Sequence, residues 1–247
     1  MTLTEFFKDN PRAAIAFSGG VDSAYLLAAA IKSGAQVRAY YVKSAFQPQF
    51  ELDDAITLAE QLGADMKIIE LDVLADENVS ANPANRCYYC KKAIFGAICD
   101  AAKSDGFDLI LDGTNASDDE DDRPGMKALR ELEVRSPLRE CGLTKAEIRR
   151  LSKDAGLFTW DKPAYACLAT RIPTGETITA EKLAKTEAAE DFLFSLGFSD
   201  FRVRMAGNSA KLQLPESQLE KLMAQRSEIL QTLKQYYDSV TLDLEVR

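Results

Sequence analysis

A short apolar run, Ala13 to Phe17, leads directly into Ser18-Gly19-Gly20-Val21-Asp22-Ser23 and then into an Ala- and Leu-rich stretch that continues to Ser33. The run reads as a strand and the stretch as a helix, so the two glycines occupy a strand-to-helix turn. Glycine there permits positive φ and close backbone approach. Successive N–H groups can then converge on phosphate oxygens at the positive end of the helix. Ser18 and Ser23 add hydroxyl donors. The string has neither the Gly-Lys-Ser/Thr ending of a Walker A loop nor the glycine spacing of a dinucleotide fingerprint. A plain glycine turn capped by Asp22 or Ser23 is the bland alternative, but the full string in this position favours a phosphate site.

The same alternation continues downstream. Gln36 to Val42 reads as a strand and Glu51 to Leu62 as a helix, while Met66 to Leu71 and Leu109 to Leu111 are further strand candidates. Strands alternating with helices predict an α/β domain built on a mostly parallel sheet covered on both faces. Thr144 and Glu147 form a capping box, which starts a helix that ends near Gly156. Periodicity is lost from Lys162 to Gly175. After it come a long amphipathic helix (Glu181 to Leu196), two alternating strands (Phe201 to Met205 and Ala210 to Leu214), helix up to Tyr237 and a closing strand. The expected division is a nucleotide-binding domain over 1–177 with cysteine-bearing loops, and a smaller α+β domain over 178–247.

Composition narrows the chemistry. Thirty basic against thirty-nine acidic residues leave a net charge of −9, which repels a nucleic-acid backbone. Histidine is absent, so proton transfer and metal binding fall to other side chains. No stretch approaches the roughly 18 apolar residues of a membrane span, and the first residues lack a signal-peptide layout. The expectation is a soluble, cytoplasmic protein, with neither nucleic acid nor membrane as a partner.

In open α/β sheets the nucleotide lies along the carboxyl ends of the strands. Two such ends are Tyr41 to Lys43, centred on Val42, and Gly113-Thr114-Asn115. Ordinary strand-terminating turns would look the same. Cysteines stand at 87, 90, 99, 141 and 167, and structural disulfides are not expected in the cytoplasm. Cys87 and Cys90 form a CxxC pair, which by itself fits zinc, a redox dithiol, an iron–sulfur cluster or simply two reduced thiols. Cys99 reads as core, and Cys141 as structural. Cys167 lies in the aperiodic segment; alone, it reads as a small buried apolar residue. Arg202 and Arg204 alternate along one strand and share a face, suited either to a phosphate or to solvent. Asp118 to Asp122 is an unbroken acidic run, most simply a solvated loop.

Longer strings carry a resemblance. SGGVDS resembles the loop of the PP-loop ATP pyrophosphatases, whose fold is adenine nucleotide alpha hydrolase-like. NPANRCYYCKKAIF (82–95), LDGTNASDDEDDRPG (111–125), SPLRECGLTKAEIR (136–149), KPAYACLATRIPTGETIT (162–179) and LGFSDFRVRMAG (196–207) together resemble the LarE family over nearly the whole chain. That family comprises ATP-dependent sulfur transferases of nickel-pincer nucleotide biosynthesis. The resemblance implies that ATP adenylylates a carboxylate of a pyridinium dicarboxylate mononucleotide and that sulfur replaces the AMP. It implies Ser18, Gly19, Gly20, Val21, Asp22 and Ser23 at the ATP phosphates, with Asp22 organising Mg2+. It also implies Cys167 as the sulfur-bearing residue and Arg171, Arg202 and Arg204 on anionic groups of the substrate. The sulfur comes either from Cys167 itself or from a 4Fe-4S cluster on Cys87, Cys90 and Cys167; the upstream CxxC favours the cluster. A Mg2+ contact is implied at the acidic run, and with it an enzyme that works as a homo-oligomer on a small-molecule nucleotide, with sulfide or a sulfur-donor protein as a partner. Ala206 and Gln213 depart from the family's pattern, and Gln213 removes an acid from any metal site placed there. A tRNA thiolase, an amide-forming synthetase and a non-catalytic iron–sulfur or zinc scaffold are the competing readings.

Overall fold

The computed structural model describes residues 1–118 and 124–245, and its contacts divide these residues into two compact units. One comprises 1–73, 85–118 and 124–162, the other 74–84 and 163–245. The chain runs through α1 (Leu3–Asp9), β1 (Arg12–Ala16), α2 (Val21–Lys32), β2 (Gln36–Lys43), α3 (Gln49–Leu62) and β3 (Met66–Glu70). It leaves for the second unit with α4 (Glu77–Ser80). It returns for α5 (Arg86–Ser104), β4 (Ile110–Leu111), α6 (Pro124–Glu131), α7 (Pro137–Glu140) and α8 (Lys145–Asp154). The second unit is completed by α9 (Ala180–Ser195), β5 (Arg202–Ala206), β6 (Ser209–Gln213), α10 (Leu219–Ala224), α11 (Arg226–Leu233) and β7 (Ser239–Leu242).

The first unit is the expected parallel α/β layer, with strand order β3-β2-β1-β4. Side-chain alternation feeds two separate cores. Ala13, Ile15, Tyr41 and Leu111 face one core, packed by Phe6, Leu26, Leu27, Leu58 and Ile148. Ala14, Tyr40, Val42 and Ile110 face the other, packed by Phe95, Ile98, Met126 and Leu129. Such two-sided burial is why these strands read as continuous apolar runs. Arg135 adds a parallel bridge beside Leu111 that the sequence pattern does not announce. The chain moves from β1 outward through β2 to β3 and then returns to the other side of β1 as β4. The order therefore reverses between β1 and β4, which is where such sheets bind ligands.

The second unit is α+β. Its sheet runs β5-β6-β7, with β5 antiparallel and β7 parallel to β6. The helix expected to reach Tyr237 is instead broken at Gln225 into α10 and α11. The division also departs from the expected boundary at 178. Asn82 Nδ2 donates to the Pro173 carbonyl (2.8 Å), and the amides of Gly175 and Ile178 donate to the carbonyls of Asn82 and Ser80. These bonds join residues about ninety positions apart, so 74–84 and 163–177 belong with the later strands. Among the described residues, no helix is long and apolar enough to cross a membrane.

Candidate nucleotide site and cysteine loop

β1 ends at Ala16 and α2 begins at Val21, so the glycine string is the whole connection. Gly19 adopts φ +71°, and a Cβ there would lie 3.1 Å from that of Ala55 on α3; both features require glycine. Ser18 and Ser23 Oγ atoms lie 3.1 Å apart, and Ser23 Oγ also donates to the Gly20 carbonyl at 3.2 Å. The hydroxyls thus stand together at the α2 N-terminus, where unpaired backbone N–H groups favour anions.

The turn after β4 closes on this loop. A Cβ on Gly113 would sit 2.9 Å from the Ser23 nitrogen, so only glycine lets this turn approach the start of α2. Asp112 orders the turn: it accepts from the Thr114 amide (3.2 Å), the Thr114 hydroxyl and Ser136 Oγ (2.6 Å). Asn115 Nδ2 donates to Asp22 Oδ1 at 3.3 Å, while Lys145 Nζ pairs with Asp22 Oδ2 at 2.5 Å. The structure therefore brings Ser18 to Ser23 together with Gly113, Thr114 and Asn115 at the sheet's reversal point. Val42 lies buried at the end of neighbouring β2.

Sequence reasoning does not assign Lys145 or Asp112 to this site. Lys145 is visible there only as the first residue of a capped helix, and the capping box does hold: Thr144 and Glu147 exchange hydrogen bonds. Its position at N1 of α8, directly after the cap, is what delivers the ammonium to Asp22. Of the acidic run, Asp118 accepts from the Asn115 amide at 3.0 Å, and residues 119–122 lie outside the described residues.

The cysteines separate by environment. Burial pushes the Cys99 and Cys141 thiols up, away from the ionised form that makes a cysteine reactive. Cys87 is exposed on the first turn of α5 with Arg86 Nη2 3.8 Å from its sulfur, and Cys90 is half-buried one turn on. Both lie in the first unit, whereas Cys167 lies in the second. Among the described residues, no three Cys, Asp or Glu side chains are grouped to hold a metal ion. Within neither unit do the three cysteines expected to hold a 4Fe-4S cluster come together.

Cys167 is half-buried at the start of a single helical turn, Leu168–Arg171. Its carbonyl accepts from the Thr170 amide (2.9 Å) and hydroxyl (2.8 Å). Arg171, expected on a substrate anion, is 1% exposed and forms a bidentate pair with the equally buried Glu190, at 2.7 and 3.0 Å. Burial lowers the Arg171 pKa, but the hydrogen bonds and charge of Glu190 outweigh it and raise the pKa overall. With its charge matched inside the protein, this arginine is a structural cation, and the anion-binding expectation is corrected.

Arg202 and Arg204 share a face of β5, as their spacing requires. Arg202 Nη2 donates to the Ala164 carbonyl at 2.7 Å, and Arg204 Nη1 to the Thr170 carbonyl at 2.8 Å. Gln213 accepts from Arg204 Nε and donates to Asp243 at 2.7 Å. The departure from an acid at Gln213 thus supplies a neutral bridge between a cation and an anion. Ala206 ends β5 in a tight hairpin through Gly207 (φ +58°).

A parallel sheet with a serine- and glycine-lined strand-to-helix loop at its reversal point defines the PP-loop class of nucleotide-binding proteins. The family model of queuosine biosynthesis protein QueC matches residues 12–88, which span this loop. The chain is 39% identical to an uncharacterized protein of Synechocystis, over 98% of this chain and 92% of that one. It is 36% identical to pyridinium-3,5-bisthiocarboxylic acid mononucleotide synthase of Lactiplantibacillus plantarum, over 98% of this chain and 89% of the synthase. A tRNA-specific 2-thiouridylase of Fervidobacterium nodosum is 30% identical, over 40% of this chain and 35% of its own length. The chain belongs to the family of the bisthiocarboxylic acid mononucleotide synthase, LarE.

Proposed function

We propose that this protein is an ATP-dependent sulfur transferase, which converts carboxylates of a pyridinium dicarboxylate mononucleotide to thiocarboxylates. The observation that carries this reading is the relation to the Lactiplantibacillus synthase, which embraces 98% of the chain and therefore both units. The synthase's product name specifies two thioacid groups. A carboxylate resists attack because it would have to expel oxide. Transfer of AMP to one oxygen creates a mixed anhydride whose leaving group is AMP, and a thiolate is a strong nucleophile toward it.

Ser18, Gly20 and Ser23 hold the ATP phosphates by backbone and hydroxyl donors, while Lys145 adds positive charge beside them. The Mg2+ that accompanies ATP fits here, because such ions are held by one or two carboxylates together with substrate phosphates. Asp22 is the carboxylate present, and the ion would neutralise phosphate charge. The turn at Gly113 to Asn115 and the end of β2 at Val42 flank the adenosine. Of the two β5 arginines, the half-buried Arg204 receives the substrate's phosphate, while the buried Arg202 holds the loop through the Ala164 carbonyl.

Cys167 delivers the sulfur. Its thiolate attacks the adenylate carbon, the bond from that carbon to the phosphate oxygen breaks, and AMP leaves. Loss of the Cys167 Cα proton with cleavage of its Cβ–S bond then releases the thiocarboxylate. The partial match to a tRNA thiolase supports a second acceptor class, but the net charge of −9 opposes polyanionic RNA. Acceptor-dependent ATP–pyrophosphate exchange tests the proposal. The mononucleotide should stimulate exchange and transfer RNA should not; stimulation by tRNA alone would reverse the reading. Cys167→Ala should retain exchange and form no thiocarboxylate.

A further inference from the structure

The loop that carries Cys167 is built around one buried carboxylate. Glu190, on α9, is 1% exposed, yet four donors from three residues, two on the cysteine loop and one on β5, converge on it. Tyr165 Oη donates at 2.6 Å, Arg171 Nε and Nη2 at 2.7 and 3.0 Å, and the Val203 amide of β5 at 2.8 Å. Tyr165 and Arg171 bracket Cys167, so both ends of the short loop are tied to the same two oxygens. The Arg171 guanidinium sits 4.7 Å from the Tyr165 ring centroid and is held against that ring.

From this anchor a second tier of bonds reaches the cysteine. Arg171 Nη1 donates to the Ala166 carbonyl at 3.0 Å and to Thr170 Oγ1 at 2.8 Å. Thr170 Oγ1 in turn donates to the Cys167 carbonyl at 2.8 Å. The peptide groups on either side of the Cys167 Cα are thereby fixed, one through Ala166 and one through Thr170. A buried ion pair is a poor route to stability alone, since apolar side chains of similar volume commonly serve as well. What the pair supplies here, and apolar packing does not, is a set of directional bonds that ends at the two peptides flanking one thiol.

We infer that Glu190 is a positioning residue for sulfur delivery, acting through Arg171 and Tyr165 to fix the main chain on which Cys167 is presented. The inference rests on Cys167 being the sulfur-bearing residue, and it deepens that reading by naming what holds the cysteine in place. Glu190 is buried, so its influence passes through the residues that bond to it. Removing its charge should leave adenylylation intact and slow only the transfer of sulfur.

The test uses the full-length protein, with ATP, Mg2+ and the pyridinium dicarboxylate mononucleotide. Two quantities are measured: acceptor-dependent ATP–pyrophosphate exchange, and the single-turnover rate of thiocarboxylate formation. Glu190→Gln should keep exchange within about twofold of the unsubstituted protein, and slow sulfur transfer about a hundredfold through misplacement of the thiol. Because Glu190→Gln leaves Arg171 with an unmatched charge and can disturb folding, Tyr165→Phe provides the milder variant. It deletes one hydroxyl, preserves the charges, and should slow transfer about tenfold at unchanged substrate KM. A merely structural role would lower thermal stability in both variants while transfer per folded molecule stayed normal, and that result overturns the inference. Equal loss of exchange and transfer in Tyr165→Phe overturns it as well. Failure of the parent reading looks different, because the unsubstituted protein would then form no thiocarboxylate, or would form it without loss of mass at residue 167.

Discussion

In the proposed mechanism the glycine loop and the cysteine loop solve the same problem, holding reacting groups at fixed positions, by opposite means. The first is made of backbone: Gly19 and Gly113 permit approaches that any Cβ would block, and the helix start supplies the donors. The second is made of side chains. Arg171, Arg202 and Arg204 each donate to a carbonyl of residues 164–170, and Glu190 neutralises the innermost of them. A backbone site is written in contiguous residues and tolerates no added atoms. A side-chain scaffold draws on residues about forty positions apart, and each strut can be removed singly.

That contrast sets the order of expected effects. Gly113→Ala should be the most damaging, because its new methyl would meet the Ser23 nitrogen at 2.9 Å. Relieving the overlap costs about 1–3 kcal/mol and shifts the α2 N-terminus. ATP–pyrophosphate exchange should fall about a hundredfold or more, while alkylation of Cys167 by iodoacetamide keeps its normal rate. An unchanged exchange rate would break the claim that the two turns form one site.

Lys145→Met removes the cation paired with Asp22 and should raise the KM for ATP roughly tenfold, with the acceptor KM unaffected. Arg204→Ala should do the converse, raising the acceptor KM several-fold more than that of ATP; a loss confined to ATP would assign this arginine to the nucleotide.

The smallest effect belongs to a region outside both sites. Asp105 accepts from Lys67 and Tyr40 and pairs with Arg38, and these partners, Lys67 first, lower its carboxyl from the usual 3.8 to about 2. A depressed pKa means that the contribution is fully present above about pH 4 and disappears as pH falls toward about 2. Asp105→Asn should therefore flatten the acid limb of the stability profile across that window, measured by thermal melts, and leave both half-reactions untouched.

The two regions are also unequally legible. The Ser18–Ser23 string, its flanking elements and the parallel sheet follow from local patterns, as do both strands of the β5–β6 hairpin. The turn at Gly113 to Asn115 is readable because strand ends are where such folds bind nucleotides. Lys145 escapes because a lysine after a helix cap looks like surface, and only the fold brings α8 beside Asp22. Arg171 misleads for a related reason: a lone arginine near a cysteine looks like an anion site until Glu190, nineteen residues on, is seen to neutralise it. The contact boundary at 163, with 74–84 joined to the later strands, depends on main-chain bonds that no periodicity reports.

The central claim is that the sulfur leaving on the product is the one carried by Cys167. Intact-protein mass after one turnover with ATP, Mg2+ and the mononucleotide tests it directly, with iron content measured on the same anaerobic sample. The account predicts a protein about 34 Da lighter, through loss of the elements of hydrogen sulfide, with the change mapped to residue 167. Thiocarboxylate formed at unchanged protein mass, with iron bound and lost on substitution of Cys87 or Cys90, would contradict it.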